Sequence, residues 1–179
     1  MAVYAGIQQT ASNPVQLLQG VPTQILLDDY TFGAIAATNL TVGRACFHVA
    51  SGENAVQATG TGAGPFAGVV RRSNANSLAF PDSLLGYSLT VPVGQGASVI
   101  TRGSVAVPID VLVSGLSTPA RGDFVYVLPS TGAFHAVAPG STPVVNSVKT
   151  NFVIGNVVGT WTAGALVEIT NTQNVGALA

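Results

Sequence analysis

Short apolar runs alternate with glycine- and proline-containing breaks along the whole of the 179-residue chain. In Tyr87-Ser88-Leu89-Thr90-Val91, and again in Val105-Ala106-Val107-Pro108-Ile109-Asp110-Val111, large apolar residues recur at every second position. That period places them on one face of a pleated strand. Similar runs, rich in Val, Ile, Thr and aromatics, predict strands over residues 23–27, 45–49, 55–59, 66–71 and 87–93. Further strands are predicted over 97–101, 105–113, 124–128, 134–137, 152–158 and 165–170. No segment keeps apolar residues at helical spacing for three turns, and Pro81 interrupts the best candidate, 77–86. The expectation is an all-β fold, a compact β-sandwich or β-barrel of about ten short strands.

Residues 1–20 are uncharged and show no periodicity, so they are expected to form an extended N-terminal arm ahead of a single β domain over 21–179. A weak internal repeat runs through that domain. VGRACFHVASGENAVQATGTGAGPFAGVV, which holds Gly43, resembles RGDFVYVLPSTGAFHAVAPG and the later FVIGNVVG. Gly43 matches Gly122, Phe47 matches Tyr126 and Ser51 matches Ser130. After a one-residue shift Ala55-Val56 matches Ala136-Val137, and 66–69 resembles 152–157. Two duplicated units near 41–72 and 120–159, stacked into one core, are the expected arrangement.

Composition narrows the functional class. The apolar fraction, 47%, is ordinary, but charged residues make up 7% against about 25% in typical soluble domains. So neutral a surface suits a subunit that spends its life covered by others. Net charge is −1, and the basic residues stand singly apart from Arg71-Arg72. No basic patch that would neutralise nucleic-acid phosphates is visible, nor a polybasic segment for an anionic membrane. Cys46 is the only cysteine, so no intrachain disulfide is expected. The opening Met1-Ala2-Val3-Tyr4 lacks the basic start of a secretory signal, and intracellular synthesis is expected. The charge-free stretches 1–27 and 124–148 are broken by polar residues, Gly and Pro, and neither offers about 20 consecutive apolar residues.

Candidate chemistry is sparse. His48 and His135 fall in different predicted strands, and no Gly-x-Ser-x-Gly elbow is present. One Cys and two distant His cannot close a zinc site. Asp28-Asp29 reads as a turn or strand end, and Glu53, Asp82, Asp110, Asp123 and Glu168 are isolated. The loop Gly60-Thr61-Gly62-Ala63-Gly64-Pro65 lacks the lysine and helix of a phosphate cradle. Arg121-Gly122-Asp123 spells an adhesion tripeptide, but Gly and Asp are also what a turn into a strand requires. Asn39-Leu40-Thr41 is a glycosylation sequon that carries meaning only in a secreted chain. No catalytic residues, metal or cofactor are expected, and the protein reads as a non-enzyme.

The chain resembles the structural cement, or head-decoration, proteins of tailed bacteriophages. The residues that carry the likeness are Phe66-Ala67-Gly68-Val69-Val70, Gly103-Ser104-Val105-Ala106-Val107 and Gly122-Asp123-Phe124-Val125-Tyr126-Val127. A turn through Thr131-Gly132, then Ile154-Gly155-Asn156-Val157-Val158 and Gly164-Ala165-Leu166-Val167-Glu168-Ile169, complete it. The likeness runs from about Thr41 to Ile169 and leaves the arm outside. It implies a compact β domain that forms homo-oligomers, trimers in preference to dimers. Such a protein would sit on the exterior of the virion capsid and clamp the lattice of the major capsid protein. The arm is then a candidate capsid contact through Met1, Val3, Tyr4, Ile7, Val15, Leu17 and Leu18, adding a strand to an exposed sheet edge. Two other readings stay open: a receptor- or glycan-binding β module of a tail fibre or spike, and a tail-tube or other self-assembling virion subunit. Against the first, Trp161 and the four tyrosines are spread out.

Overall fold

The structure, a computed structural model, describes residues 19–24, 30–50, 54–60, 64–72, 89–110, 118–157 and 161–171. All of its regular elements are strands. In chain order these begin with β1 (Pro22–Gln24), β2 (Tyr30–Ala36), β3 (Leu40–Thr41), β4 (Ala45–His48), β5 (Ala55–Gln57) and β6 (Phe66–Arg71). They continue with β7 (Thr90–Val91), β8 (Gly96–Arg102), β9 (Ser104–Pro108), β10 (Phe124–Leu128) and β11 (Ala133–Val137). The last two are β12 (Val148–Val157) and β13 (Leu166–Thr170).

The all-β expectation holds, and most predicted strands lie within a residue or two of observed ones. Three differences have physical causes. Of the strand predicted over 87–93, residues 87 and 88 lie outside the described residues, and 89–93 are regular only at β7 because a turn through Val93 and Gly94 follows. β12 begins four residues before the predicted 152, since Val148 and Lys149 pair with Val127 and Tyr126. β2 was not predicted: Gly33 and two alanines weaken its pattern, and its ladder with β8 from Tyr30↔Arg102 to Ile35↔Gly96 is what makes it a strand. The segment 77–86 lies outside the described residues.

The strands form two rings with one plan. β2-β5-β4-β6-β8 closes into a barrel. The larger sheet, β1-β9-β13-β12-β10-β11, rolls up so that Ile109, just beyond β9, forms a parallel bridge with Phe134 of β11. Each pairing in the first ring has a counterpart in the second. β4 lies between β5 and β6 as β10 lies between β11 and β12, all antiparallel. β8 joins β6 to β2 as β13 joins β12 to β9. In the parallel β2–β5 pairing, Ala36↔Val56 answers to Ile109↔Phe134.

The correspondence reaches single hydrogen bonds. Gly43 N–H donates to Val70 O at 2.8 Å and Val70 N–H to Arg44 O at 3.0 Å. Gly122 N–H donates to Ile154 O at 2.8 Å and Ile154 N–H to Asp123 O at 2.9 Å. Both glycines enter their strands at positive φ, 74° and 90°, where a side chain is strained. At the opposite end, Gly94 N–H meets Ala36 O and Gly164 N–H meets Ile109 O, each at 2.8 Å.

The first ring has small side chains inside it, among them Ala34, Ala36, Cys46 and Ala97, and Leu40, Val42 and Val91 at the β3–β7 ribbon complete that core. The second ring is filled by larger ones, including Ile109, Phe134, Phe152, Ile154 and Ile169. Ala45, Phe47, Val69 and Ile100 of the first ring belong to the second core, so the rings share apolar interior. Phe66 is the joint: its ring meets Phe47, Phe134 and Phe152 edge-on, at centroid distances of 6.2, 6.4 and 6.5 Å.

Candidate interaction surface

The candidate chemical groups are spread over this frame and do not converge. His48 ends β4, half-buried and stacked on Phe32 at 5.9 Å. His135 is enclosed on β11, tilted against Tyr126 at 5.8 Å, and burial lowers its pKa below the usual range. Cys46 lies in the first core with its thiol pushed up to about 12 by burial, so it is poorly nucleophilic. Among the described residues no group of His, Cys, Asp or Glu could hold a metal ion. Asp28, Asp29, Glu53 and Asp82 lie outside the described residues.

The adhesion tripeptide is a turn. Asp123 is buried, its carboxylate accepts Ala120 N–H at 2.8 Å and its own N–H donates to Ala120 O at 3.1 Å. The aspartate therefore starts β10 and is withheld from any receptor. Asn39 is exposed, and its side-chain oxygen accepts Val93 N–H at 3.3 Å.

Two clefts carry charge. One, of about 470 Å³, lies between the rings and is lined by Arg44, Asp110, Thr41 and Thr131 among others. Arg44 and Asp110 pair across it and neutralise one another. The other, of about 350 Å³, brings Arg71 and Arg102 together with Thr31 and Ser104. The two arginines are 31 positions apart in the sequence; in the antiparallel β6–β8 ladder Arg71 faces Ser98, four residues before Arg102 on β8, and both line the cleft with Ile100.

The exposed large apolar side chains gather at strand ends. Tyr30 and Ile35 on β2 are 60% and 57% exposed, with Thr31 and Gly33 exposed between them. Val93 is exposed in the turn before β8, where Gly94 N–H donates to Ala36 O. Val145 and Val148 form a second exposed pair where the chain enters β12. These side chains are uncharged and outward-facing, whereas Asp123 serves a turn, His135 lies in the core and Arg44 pairs with Asp110 between the rings. The arm residues Met1, Val3, Tyr4, Ile7, Val15, Leu17 and Leu18 lie outside the described residues.

Fold and surface together define a structural β protein. The family model described as structural cement protein (E217 gp24/Pam3 gp6) matches residues 10–172, and the chain belongs to that family. A chain from the solved capsid of Myoviridae phage XM1 has the same fold, with a TM-score of 0.53 at 15% identity, covering 89% of this chain and 94% of that one. No curated protein matches the chain. The resemblance read from the strand motifs and the structural, capsid-stabilising class it implied are thus borne out.

Proposed function

We propose that this protein cements a phage capsid from outside, as a homotrimer that does no chemistry and bridges neighbouring subunits of the shell. The observation that carries the reading is the family match over 10–172, nearly the full chain. The physical setting supports it. A protein that binds the assembled lattice and not its separated subunits shifts assembly by mass action. Repeated symmetric sites let modest contacts add through avidity. Burying a surface with 7% charged residues avoids the desolvation cost of several kcal/mol per ion. Residues 1–20 are proposed to anchor the protein on the lattice, with synthesis in the host cytoplasm before attachment.

Co-sedimentation with expanded capsids tests this. Saturable binding at a fixed ratio to shell subunits is expected, weakened about tenfold or more when residues 1–20 are removed. Protein left in the supernatant with intact shells would overturn the cement reading.

A further inference from the structure

The two rings differ at one place where their plan predicts identity. In a strand, successive residues direct N–H and C=O to opposite sides. On β2, Ile35 N–H donates to Asn54 O and, just beyond, Ala37 N–H to Val56 O, each at 2.8 Å, whereas Ala36 N–H donates the other way, to Gln95 O at 2.9 Å. Gly33 therefore points both its backbone groups to the same side as Ile35, beyond the end of β5. Among the described residues no group meets them there, and Gly33 is exposed. Its counterpart in the second ring is Ala106, which pairs with Glu168 as Gly33 pairs with Ser98. Ala106 is satisfied: its carbonyl accepts Gly20 N–H at 2.8 Å and its N–H donates to Val21 O at 3.2 Å. The chain's own strand, running antiparallel along β9 through Pro22↔Val105 and Gln24↔Ser104, fills that slot.

We infer that the edge of β2 at residues 31–33, unmet among the described residues, is the acceptor for an N-terminal strand from a second copy of this protein. The edge is shaped for an extended backbone. A Cβ placed on Gly33 would meet nothing within 4 Å, and glycine in mid-strand lets another backbone approach closely. Its flanks, Tyr30, Thr31 and Ile35, are exposed and uncharged. The chain supplies a matching donor. Residues 1–18 carry no charge, include Val3-Tyr4-Ala5-Gly6-Ile7, and lead directly into the strand that fills the equivalent slot on β9. Eighteen residues ahead of Gln19 span up to ~60 Å when extended, enough to reach a neighbouring subunit. Residues 20–24 already occupy the chain's own β9, so the length before them is what remains to give. Because donor and acceptor are different parts of the chain, the contact closes either reciprocally in a dimer or head-to-tail in a ring such as a trimer. The inference concerns contact between copies and holds with or without a shell.

Amide hydrogen exchange at Gly33, read on the full chain over a dilution series, tests it. Protection of tenfold or more is expected in the concentrated protein, lost on dilution and restored by adding a peptide of residues 1–18. Gly33→Pro removes the N–H that the incoming strand needs. It is expected to sediment as a monomer while melting at the temperature of diluted wild type. An unprotected Gly33 in concentrated protein overturns the inference. So does protection independent of concentration, which would mean that the arm fills its own edge, or protection that arises only with capsids, which would make the donor a shell segment. The wild-type exchange pattern decides the matter if Gly33→Pro misfolds. Since no capsid is needed, failure here leaves the sedimentation test of cementing standing, and the reverse.

Discussion

His135 is enclosed on β11, and among the described residues neither of its ring nitrogens has a hydrogen-bond partner. Burial disfavours the charged imidazolium, so its folded-state pKa lies below the ordinary 6.5. The unfolded chain then takes up the proton first as pH falls. Stability is unaffected above about pH 6.5 and declines below it, by at most ~1.4 kcal/mol per pH unit, until the folded-state pKa is passed. His135→Leu removes both unsatisfied atoms and is expected to raise stability by about 1–3 kcal/mol at pH 7. It should also flatten the decline between pH 6.5 and 5, measured by urea unfolding. A variant that keeps the full wild-type decline would place its cause in another residue. Cys46 is a quieter case, a small apolar filler whose Sγ lies 3.5 Å from Gly68 O in the first core.

The joint between the rings rests on one strand end. Phe66 opens β6 and its ring is surrounded edge-on by Phe47, Phe134 and Phe152. Phe66→Ala is expected to destabilise by about 3 kcal/mol, through lost contacts and the cavity left between the rings. Thermal or urea unfolding measures this, and a loss below 1 kcal/mol would mean that the rings do not depend on that cluster. The Arg44–Asp110 pair crosses the same boundary, but both side chains are partly solvated, and its worth is about 1 kcal/mol or less. This level also shows how far the repeat was readable. Gly43 and Gly122 make the same bonds, as their match in sequence implied. Ala55-Val56 and Ala136-Val137 do not correspond: Val56 takes the place of Phe134, facing Ala36 as Phe134 faces Ile109. Runs of Ala, Val and Gly fit several registers equally well on paper. Only ladder pairing selects one.

For the molecule as a whole, the shared core sets the cooperativity. Residues of β4, β6 and β8 contribute to both apolar clusters, so neither ring keeps its interior intact without the other. A single unfolding transition is expected, with calorimetric and van't Hoff enthalpies equal at concentrations where copies are separated. Two resolved transitions would show that the rings fold separately despite their shared phenylalanines. Exposed apolar side chains stand on both halves of the body, Ile35 and Val93 beside the first ring and Val145 and Val148 where the chain enters β12.

Much of this protein was legible as a string of residues. Period-two runs between glycine and proline breaks specify strands, because pleated backbone turns alternate side chains to one face. Scarce charge and scattered histidines define a covered, structural class, and local motifs such as Gly122-Asp123-Phe124-Val125-Tyr126-Val127 carry the family likeness. What joins distant residues was not legible. The strand β2, whose sequence is weak, exists because β8 pairs with it, and the closure of each ring depends on a parallel contact between Ala36 and Val56 or between Ile109 and Phe134. The arginines at one cleft, the phenylalanine joint and the open edge at Gly33 all arise from such closures. Hydrophobic periodicity is local and survives in one dimension; register, closure and an unmatched hydrogen-bonding edge are properties of pairs of strands, and they come into being only when the chain folds back on itself.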